Sequence, residues 1–183
     1  PRYTATHFRV AGQVETYLTS DLTTWEFNTR LTTWIDTVYT SLDQETLVSA
    51  VLENANGTFI FVKVDDAWTL ADLQEGETMA SSTANAIVRN ASNLSMTPPL
   101  GTTEEAYYGL DDPNGVVTLE TDDGTTYVLT VGAQLTEDDN YVVKWSDSPY
   151  YVKVAQFNVS AMVENAREDF LELPPTPTPE PAP

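Results

Sequence analysis

The chain has 183 residues, 41% of them hydrophobic, and its 28 Asp+Glu against 8 Lys+Arg give a formal charge of −20. It has no cysteine and one histidine, which removes disulfides, thiolate metal sites, iron–sulfur clusters and thiol nucleophiles. The charge repels phosphate backbones and anionic lipid surfaces, and the apolar fraction is too high for a disordered acidic chain; one folded domain, or two small ones, binding no nucleic acid is expected.

Thr supplies 27 residues and Lys only 3, so the surface is hydrated through hydroxyls and carboxylates. This composition fits an extracellular or cell-surface protein, or one from a salty habitat. No apolar run approaches the length of a bilayer span and no signal peptide is visible, so direct membrane insertion is not expected. Pro1-Arg2-Tyr3 opens the sequence without a Met, as expected of a chain from which an anchor or signal has been removed.

At the N-terminal end, Phe8-Arg9-Val10-Ala11 lines up with Val152-Lys153-Val154-Ala155. After a one-residue offset, Val14, Tyr17, Leu18 and Trp25 fall on Val159, Met162, Val163 and Phe170. A strand running into a helix is therefore expected at both ends, with residues 1–45 the end of a preceding repeat-like unit. The alternative is ordinary strand–helix coincidence.

Residues 46–173 read as an α+β domain of two related halves, 46–99 and 100–173. In the first, strands over 47–53 and 58–64 flank the turn Asn54-Ala55-Asn56-Gly57, and Asp65-Asp66-Ala67 turns into Trp68-Thr69-Leu70. Met79, Ala86, Ile87, Ala91 and Leu94 recur at helical spacing and predict a helix over 77–94, ended by Pro98-Pro99. In the second, alternating β-branched and aromatic residues predict strands over 116–120 and 126–131 around Thr121-Asp122-Asp123-Gly124. Two more follow over 141–145 and 150–154, joined by Ser146-Asp147-Ser148-Pro149, so four consecutive strands form an antiparallel meander. A helix over 159–171, with Val159, Met162, Val163, Ala166 and Phe170 as its apolar stripe and Asn158 or Ser160 as its cap, closes the half. The expected fold is α+β: antiparallel β-meanders each followed by a helix packed on one sheet face, with a strand-strand-helix repeat. Residues 174–183 hold six of the 11 prolines and read as an extended linker or tail of roughly 30 Å.

The segment Tyr108-Gly109-Leu110-Asp111-Asp112-Pro113, then Val117-Thr118-Leu119, then the run from Asp123-Gly124 through Val131-Gly132, resembles the bacterial domain of unknown function (DUF) 4340 family. Phe59-Ile60-Phe61-Val62-Lys63-Val64-Asp65-Asp66-Ala67-Trp68-Thr69-Leu70 is similar to that family's strand–Trp–strand segment. The following helix and Tyr150-Tyr151-Val152-Lys153-Val154 also match, giving coverage of about 47–173. The resemblance implies an envelope-associated bacterial protein, commonly membrane-anchored and often encoded near ABC-type export or gliding-type transport components. It carries over no catalytic residue. The sequence departs from the family where an Arg-Asp pair appears as Arg167-Glu168-Asp169, where Trp25-Glu26-Phe27-Asn28 lacks that pair, and in having no membrane anchor.

Few residues point to chemistry. His7 is the single histidine, no Gly-x-Ser-x-Gly elbow accompanies it, and no second histidine completes a zinc pair. Neither glycine-rich nucleotide motif is present. No catalytic, cofactor-binding or metal residue is therefore assigned, and no cofactor is expected. The acid pairs Asp65-Asp66, Asp111-Asp112, Asp122-Asp123 and Asp138-Asp139 lie beside residues that make turns, and none fits the spaced calcium loop, so turn chemistry outweighs calcium. Tyr108, Tyr141, Trp145, Tyr150 and Tyr151 are the interaction candidates: of each adjacent Tyr pair one is expected in the core and the other to solvate its hydroxyl, a reading that outweighs an exposed platform stacking a sugar or anchoring a partner. Asn56, Asn90, Asn93 and Asn158 open N-glycosylation sequons, at a frequency near chance for this composition.

Three functions follow as expectations. The first is a non-catalytic extracytoplasmic or cell-envelope module acting through protein–protein contacts, associated with a transport or surface machinery. The second is a structural subunit of a surface layer or extracellular filament that self-associates through strand edges. The third is a ligand-binding or hydrolytic domain using carboxylates and aromatics.

Overall fold

The computed structural model describes residues 6–20 and 34–172, arranged in two compact units, Pro1–Asp36 and Thr37–Pro183. In the first, β1 (Thr6–Phe8) pairs antiparallel with β2 (Tyr17–Thr19), and the rings of Phe8 and Tyr17 stack at 5.4 Å across the ladder. Tyr17 and Leu18, expected on a helix, are thus strand residues. Aromatic and β-branched side chains opposite one another stabilise a ladder pair and override the helical spacing. Trp25, which completed that pattern, and the proline-rich residues 174–183 lie outside the described residues.

The second unit is α+β. Its strands are β3 (Leu47–Asn54), β4 (Gly57–Val64), β5 (Ala67–Leu70), β6 (Pro99–Gly101), β7 (Gly115–Thr121), β8 (Thr126–Gln134), β9 (Tyr141–Trp145) and β10 (Tyr151–Val154). They form one antiparallel sheet in the order β5-β4-β3-β7-β8-β9-β10-β6. The two expected meanders are therefore halves of a continuous sheet, joined where Ala50 and Leu52 of β3 lie opposite Leu119 and Val117 of β7.

Both helices cover one face. There, Leu52, Phe61, Leu119, Leu129, Val131, Val143 and Val152 meet Ile87 and Val88 of α1 (Ser81–Ser92) and Val159 and Met162 of α2 (Gln156–Glu164), all fully or almost fully buried. Strand alternation puts every second residue on this face, and the i, i+3 spacing of Val159 and Met162 supplies the matching helical stripe.

The helix expected over 159–171 is interrupted. α2 starts three residues earlier, with Asn158 inside it and Ala155 at its N-cap, and ends at Glu164; a 3₁₀ turn, Arg167–Phe170, follows. The stop has a visible cause. The carbonyls of Met162 and Asn165 accept Nδ2 of Asn54 at 3.1 and 2.9 Å, and those of Glu164 and Asn165 accept Nδ2 of Asn56 at 2.7 and 3.3 Å. The β3–β4 turn thus satisfies the C-terminal acceptors a helix leaves unpaired. Phe170 then turns inward, fully buried, with its ring 5.0 Å from both Phe59 and Phe61.

The start of the other helix shifts for a related reason. Residues 77–80 leave the expected helix to pair with residues 170–172: Glu172 donates its N–H to Thr78, and Ala80 donates to Phe170, both at 2.8 Å. The C-terminal end of α1 is closed by buried Thr40, whose Oγ1 donates to the Ala91 carbonyl at 2.8 Å and accepts Leu94 N–H at 2.7 Å. Residues 37–45 are stitched to this helix end by further bonds from Tyr39 to Leu94 and Leu42 to Ser92.

The segment between β6 and β7 docks on the other sheet face at Gly132. A Cβ there would lie 2.2 Å from the Tyr108 carbonyl oxygen, and Gly109, at φ 65°, turns the chain beside Ala133. Gly132→Ala is therefore expected to cost about 3 kcal/mol, because two backbones must separate. Gly124→Ala, at φ 82° with open space around it, should cost only about 1 kcal/mol from its left-handed backbone. Denaturant midpoints of the two variants check this, and equal losses would contradict the close approach.

Candidate functional site

The face opposite the helices is divided in two. Over β9, β10 and the Gly132 end of β8 it is closed, and Tyr108 and Val142 on that side are buried, at 2% and 0% exposure. Over β4, β3, β7 and the Thr126 end of β8 it is open. Ile60, Val51, Thr118 and Val128 stand directly opposite one another across four strands, and the neighbouring row runs Val62, Ser49, Glu120, Thr126. Ile60 is 45% exposed and Val64, beyond it on β4, 52%. Glu53 and Glu120 are exposed on the same face.

The interaction candidates gather at the closed end, but most face inward. Tyr108, Tyr141 and Trp145 are buried; Trp145 stacks on Tyr127 at 5.5 Å with the rings 2° from parallel. The Tyr107-Tyr108 pair does split between solvent and core, on a 3₁₀ turn (Ala106–Tyr108) rather than a strand. Tyr107 is 60% exposed and its ring meets the buried Tyr108 edge-on at 4.7 Å; Tyr108 in turn lies 5.3 Å from Tyr151. Burial, aided by the contact with Tyr107, pushes the Tyr108 hydroxyl up to about 12.

Tyr151 donates to Glu104 Oε2 at 2.9 Å, which raises its pKa, and its ring lies beneath the Lys144 ammonium at 5.7 Å. Burial lowers the Lys144 pKa, and its Nζ donates to the carbonyls of Trp145, at 2.7 Å, and of Ser148. Tyr150 is half-exposed, and its carbonyl accepts the hydroxyl of Tyr39 at 2.6 Å. Tyr39 also accepts the Trp145 N–H at 2.9 Å; burial raises its pKa despite that bond. No sequence signal marked Tyr39: an isolated tyrosine becomes a strut between strand ends only once the sheet is assembled.

Beside this cluster lies an open groove of about 450 Å³ lined by Tyr107, Leu100, Gln134, Thr136, Glu137 and Lys153. Lys153 is paired with Asp138, whose carboxyl is held below the usual range by that bond.

The other acids serve turns. Asp65 and Asp66 occupy left-handed backbone, at φ 48° and 63°, in the two-residue β4–β5 turn. Asp123 Oδ1 accepts from Thr121 Oγ1 at 2.7 Å and Thr125 N at 2.9 Å, which lowers its pKa. Asp111 and Asp112 are exposed in the segment after Tyr108. Among the described residues, no three His, Asp or Glu side chains converge on a metal position. His7 is exposed on β1 opposite Leu18.

Of the sequon asparagines, Asn56 is exposed but its amide is bound to the end of α2. Asn90 donates to the Asn158 carbonyl at 3.1 Å, so these two meet between the helices, both half-buried, while Asn93 is exposed.

Arg167, read from sequence only as a departure in the family pattern, clamps the segment after α2. Its guanidinium donates to Asp72 Oδ2 at 2.7 Å, the Asp72 carbonyl at 3.1 Å and Glu77 Oε2 at 2.8 Å. Glu77 also accepts the Gln74 N–H at 2.8 Å, and these bonds, the backbone one first, lower its pKa. A carboxyl depressed on folding contributes stability above its unfolded value, about 4.3, and loses it as pH falls through the lower folded value. Glu77→Gln is expected to unfold at lower urea than the parent at neutral pH, with the gap closing on acidification below about pH 4. A gap that persisted unchanged in acid would deny the carboxylate this role.

No helix among the described residues is long and apolar enough to cross a membrane. Neither a curated protein nor a solved structure matches the chain. A family model, described as a domain of unknown function (DUF4340), matches residues 1–113. The match runs from the N-terminal unit to the Tyr108–Pro113 motif that docks beside Gly132; it reaches further toward the N-terminus than the expected coverage of about 47–173 and stops short of the segments 117–119, 123–132 and 150–154. The chain belongs to the DUF4340 family.

Proposed function

We propose that the chain is a non-catalytic module of the bacterial cell envelope, held outside the cytoplasm, that works by binding another protein through the open half of its sheet. The observation that carries this reading is the row Ile60, Val51, Thr118, Val128, aligned across four strands and left uncovered by the helices. Scattered exposed apolar residues need no explanation, but an aligned β-branched surface on a sheet is the kind of patch that marks an interaction site. The engaged carboxylates support a non-catalytic role: Asp138, Asp72, Glu77, Glu104 and Asp123 are held by Lys153, Arg167, Tyr151, a hydroxyl or a backbone N–H. A duplicated ground plan belongs to the same proposal, supported by two meanders that each end in a helix on one face.

Strand-edge assembly is the weaker reading. The edge strands are β5, with four residues, and β6, with three including Pro99; short edges and proline resist strand addition. A second copy stacked face to face on the open half would set Glu53 and Glu120 against acids on a chain of charge −20.

A photo-crosslinking residue placed in the native cell at Ile60, and for comparison at exposed Ser82 on α1, tests the reading. A protein adduct of discrete mass at position 60, absent at 82 and abolished by Val64→Asp, is expected. No adduct at 60, or the same one at both positions, would reject the open face. An adduct of twice the chain mass would return the assignment to self-assembly.

A further inference from the structure

The groove beside Tyr107 is a second surface, on the closed half of the sheet and separate from the aliphatic row. Its volume, about 450 Å³, falls within the range of ligand clefts, roughly 300–1,000 Å³. Its one aromatic wall is unusually well fixed for an exposed ring. Tyr107 projects 60% into solvent, yet it is buttressed edge-on by Tyr108, which is buried against Tyr151. The Tyr151 hydroxyl is bound to Glu104, and its ring lies beneath Lys144. An aromatic face held this way loses little rotamer freedom when something stacks on it.

The rest of the lining is mixed: Leu100 and Leu135 are apolar, while Gln134, Thr136 and Glu137 supply amide, hydroxyl and carboxylate groups, and Gln134 is oriented by a 3.2 Å bond from its Nε2 to the Asp139 carbonyl. Lys153, the one cation of the groove, is neutralised by Asp138. That pairing, on a chain of charge −20, leaves no attraction for an anion. The amide, hydroxyl and carboxylate groups spaced along the groove do not suit an acyl chain. A planar apolar face opposite several hydrogen-bonding groups, with the one cation already paired, matches a sugar ring, which has a C–H face and a hydroxyl rim.

We infer that the groove formed by Tyr107, Leu100, Gln134, Thr136, Glu137 and Lys153 binds a neutral saccharide chain, one ring stacking on Tyr107. This goes beyond the protein-binding reading and does not depend on it: the two surfaces lie on different halves of the sheet.

The test is a ¹⁵N-resolved NMR titration of the full chain with chitotriose, cellotriose, maltotriose and, separately, spermidine, each to about 10 mM, a range that captures contacts near a 1 mM dissociation constant. At least one trisaccharide is expected to shift the amides of residues 134–137 and 153. Tyr107→Ala should weaken that binding about tenfold or more, the effect of removing one stacking contact, and Tyr107→Phe should retain it. Because Tyr107 is mostly exposed, both variants are expected to keep the parent amide spectrum elsewhere. No response to any trisaccharide, a response indifferent to Tyr107→Ala, or binding of spermidine alone would each overturn the assignment. None of these results bears on crosslinking at Ile60.

Discussion

The missing side chain at position 132 governs what the outer face of the sheet can do. A backbone carbonyl, that of Tyr108, occupies the space where any other residue would place its Cβ. Through that gap the segment between β6 and β7 lies flat on β8, Asn114 adds hydrogen bonds to the carbonyls of Val131 and Gly132, and Tyr108 is buried. The burial of Tyr108 then fixes Tyr107. Close backbone approach thus closes one half of the face, leaves the other bare and fixes the exposed ring on the closed half. The family motif that ends in Pro113 is best understood as the contact surface of this joint, which explains why it contains a left-handed glycine and no reactive group.

The acidity of the chain takes on a different meaning beside this geometry. Asp65, Asp66 and Asp139 accept left-handed backbone that most residues resist, and Asp123 and Asp169 fold back on N–H groups of their own turns. Acids placed this way shape the loops while projecting charge into solvent. The few cations are drawn into clamps: Lys153 to Asp138, Arg167 to Asp72 and Glu77, Lys63 to the carbonyls of Gln44 and Glu45. A chain with eight basic residues has placed several at joints between distant segments, where each holds more structure than a surface pair would.

Much of the fold was legible because strand alternation and turn residues are local. Strands from β3 to β10, apart from β6, follow directly from β-branched and aromatic residues between Asp, Asn and Gly turns. β6 was hidden because Pro98-Pro99 reads as a stop, and only an edge position lets Pro99 sit in a strand. The fusion of two meanders into one sheet was also invisible, since β3 meets β7 more than 60 residues away. Helix limits failed where distant groups intervened: Asn54 and Asn56 end α2, and residues 170–172 capture residues 77–80. For the site, the Tyr107-Tyr108 doublet correctly signalled one exposed and one buried ring, but the choice between them needed the docking at Gly132. The N-terminal helix expectation failed at Tyr17 and Leu18 because i, i+3 spacing over so few residues cannot outweigh a cross-strand aromatic pair.

The turn that ends α2 sets a limit on the chemical lifetime of the fold. Asn56 precedes Gly57, and Asn-Gly is the dipeptide in which the following N–H most easily attacks the side-chain amide, because glycine offers no steric shield. Ammonia leaves, and water opens the succinimide so formed to aspartate or isoaspartate. Here that reaction would exchange a donor for an anion facing the Glu164 and Asn165 carbonyls at the negative end of a helix dipole. As long as Asn56 Nδ2 is bound to those carbonyls, its carbonyl carbon is kept from swinging toward the Gly57 nitrogen. The native contact therefore protects the residue it depends on, and each excursion that frees the turn exposes it to an irreversible loss. Deamidation at that turn would loosen the end of α2.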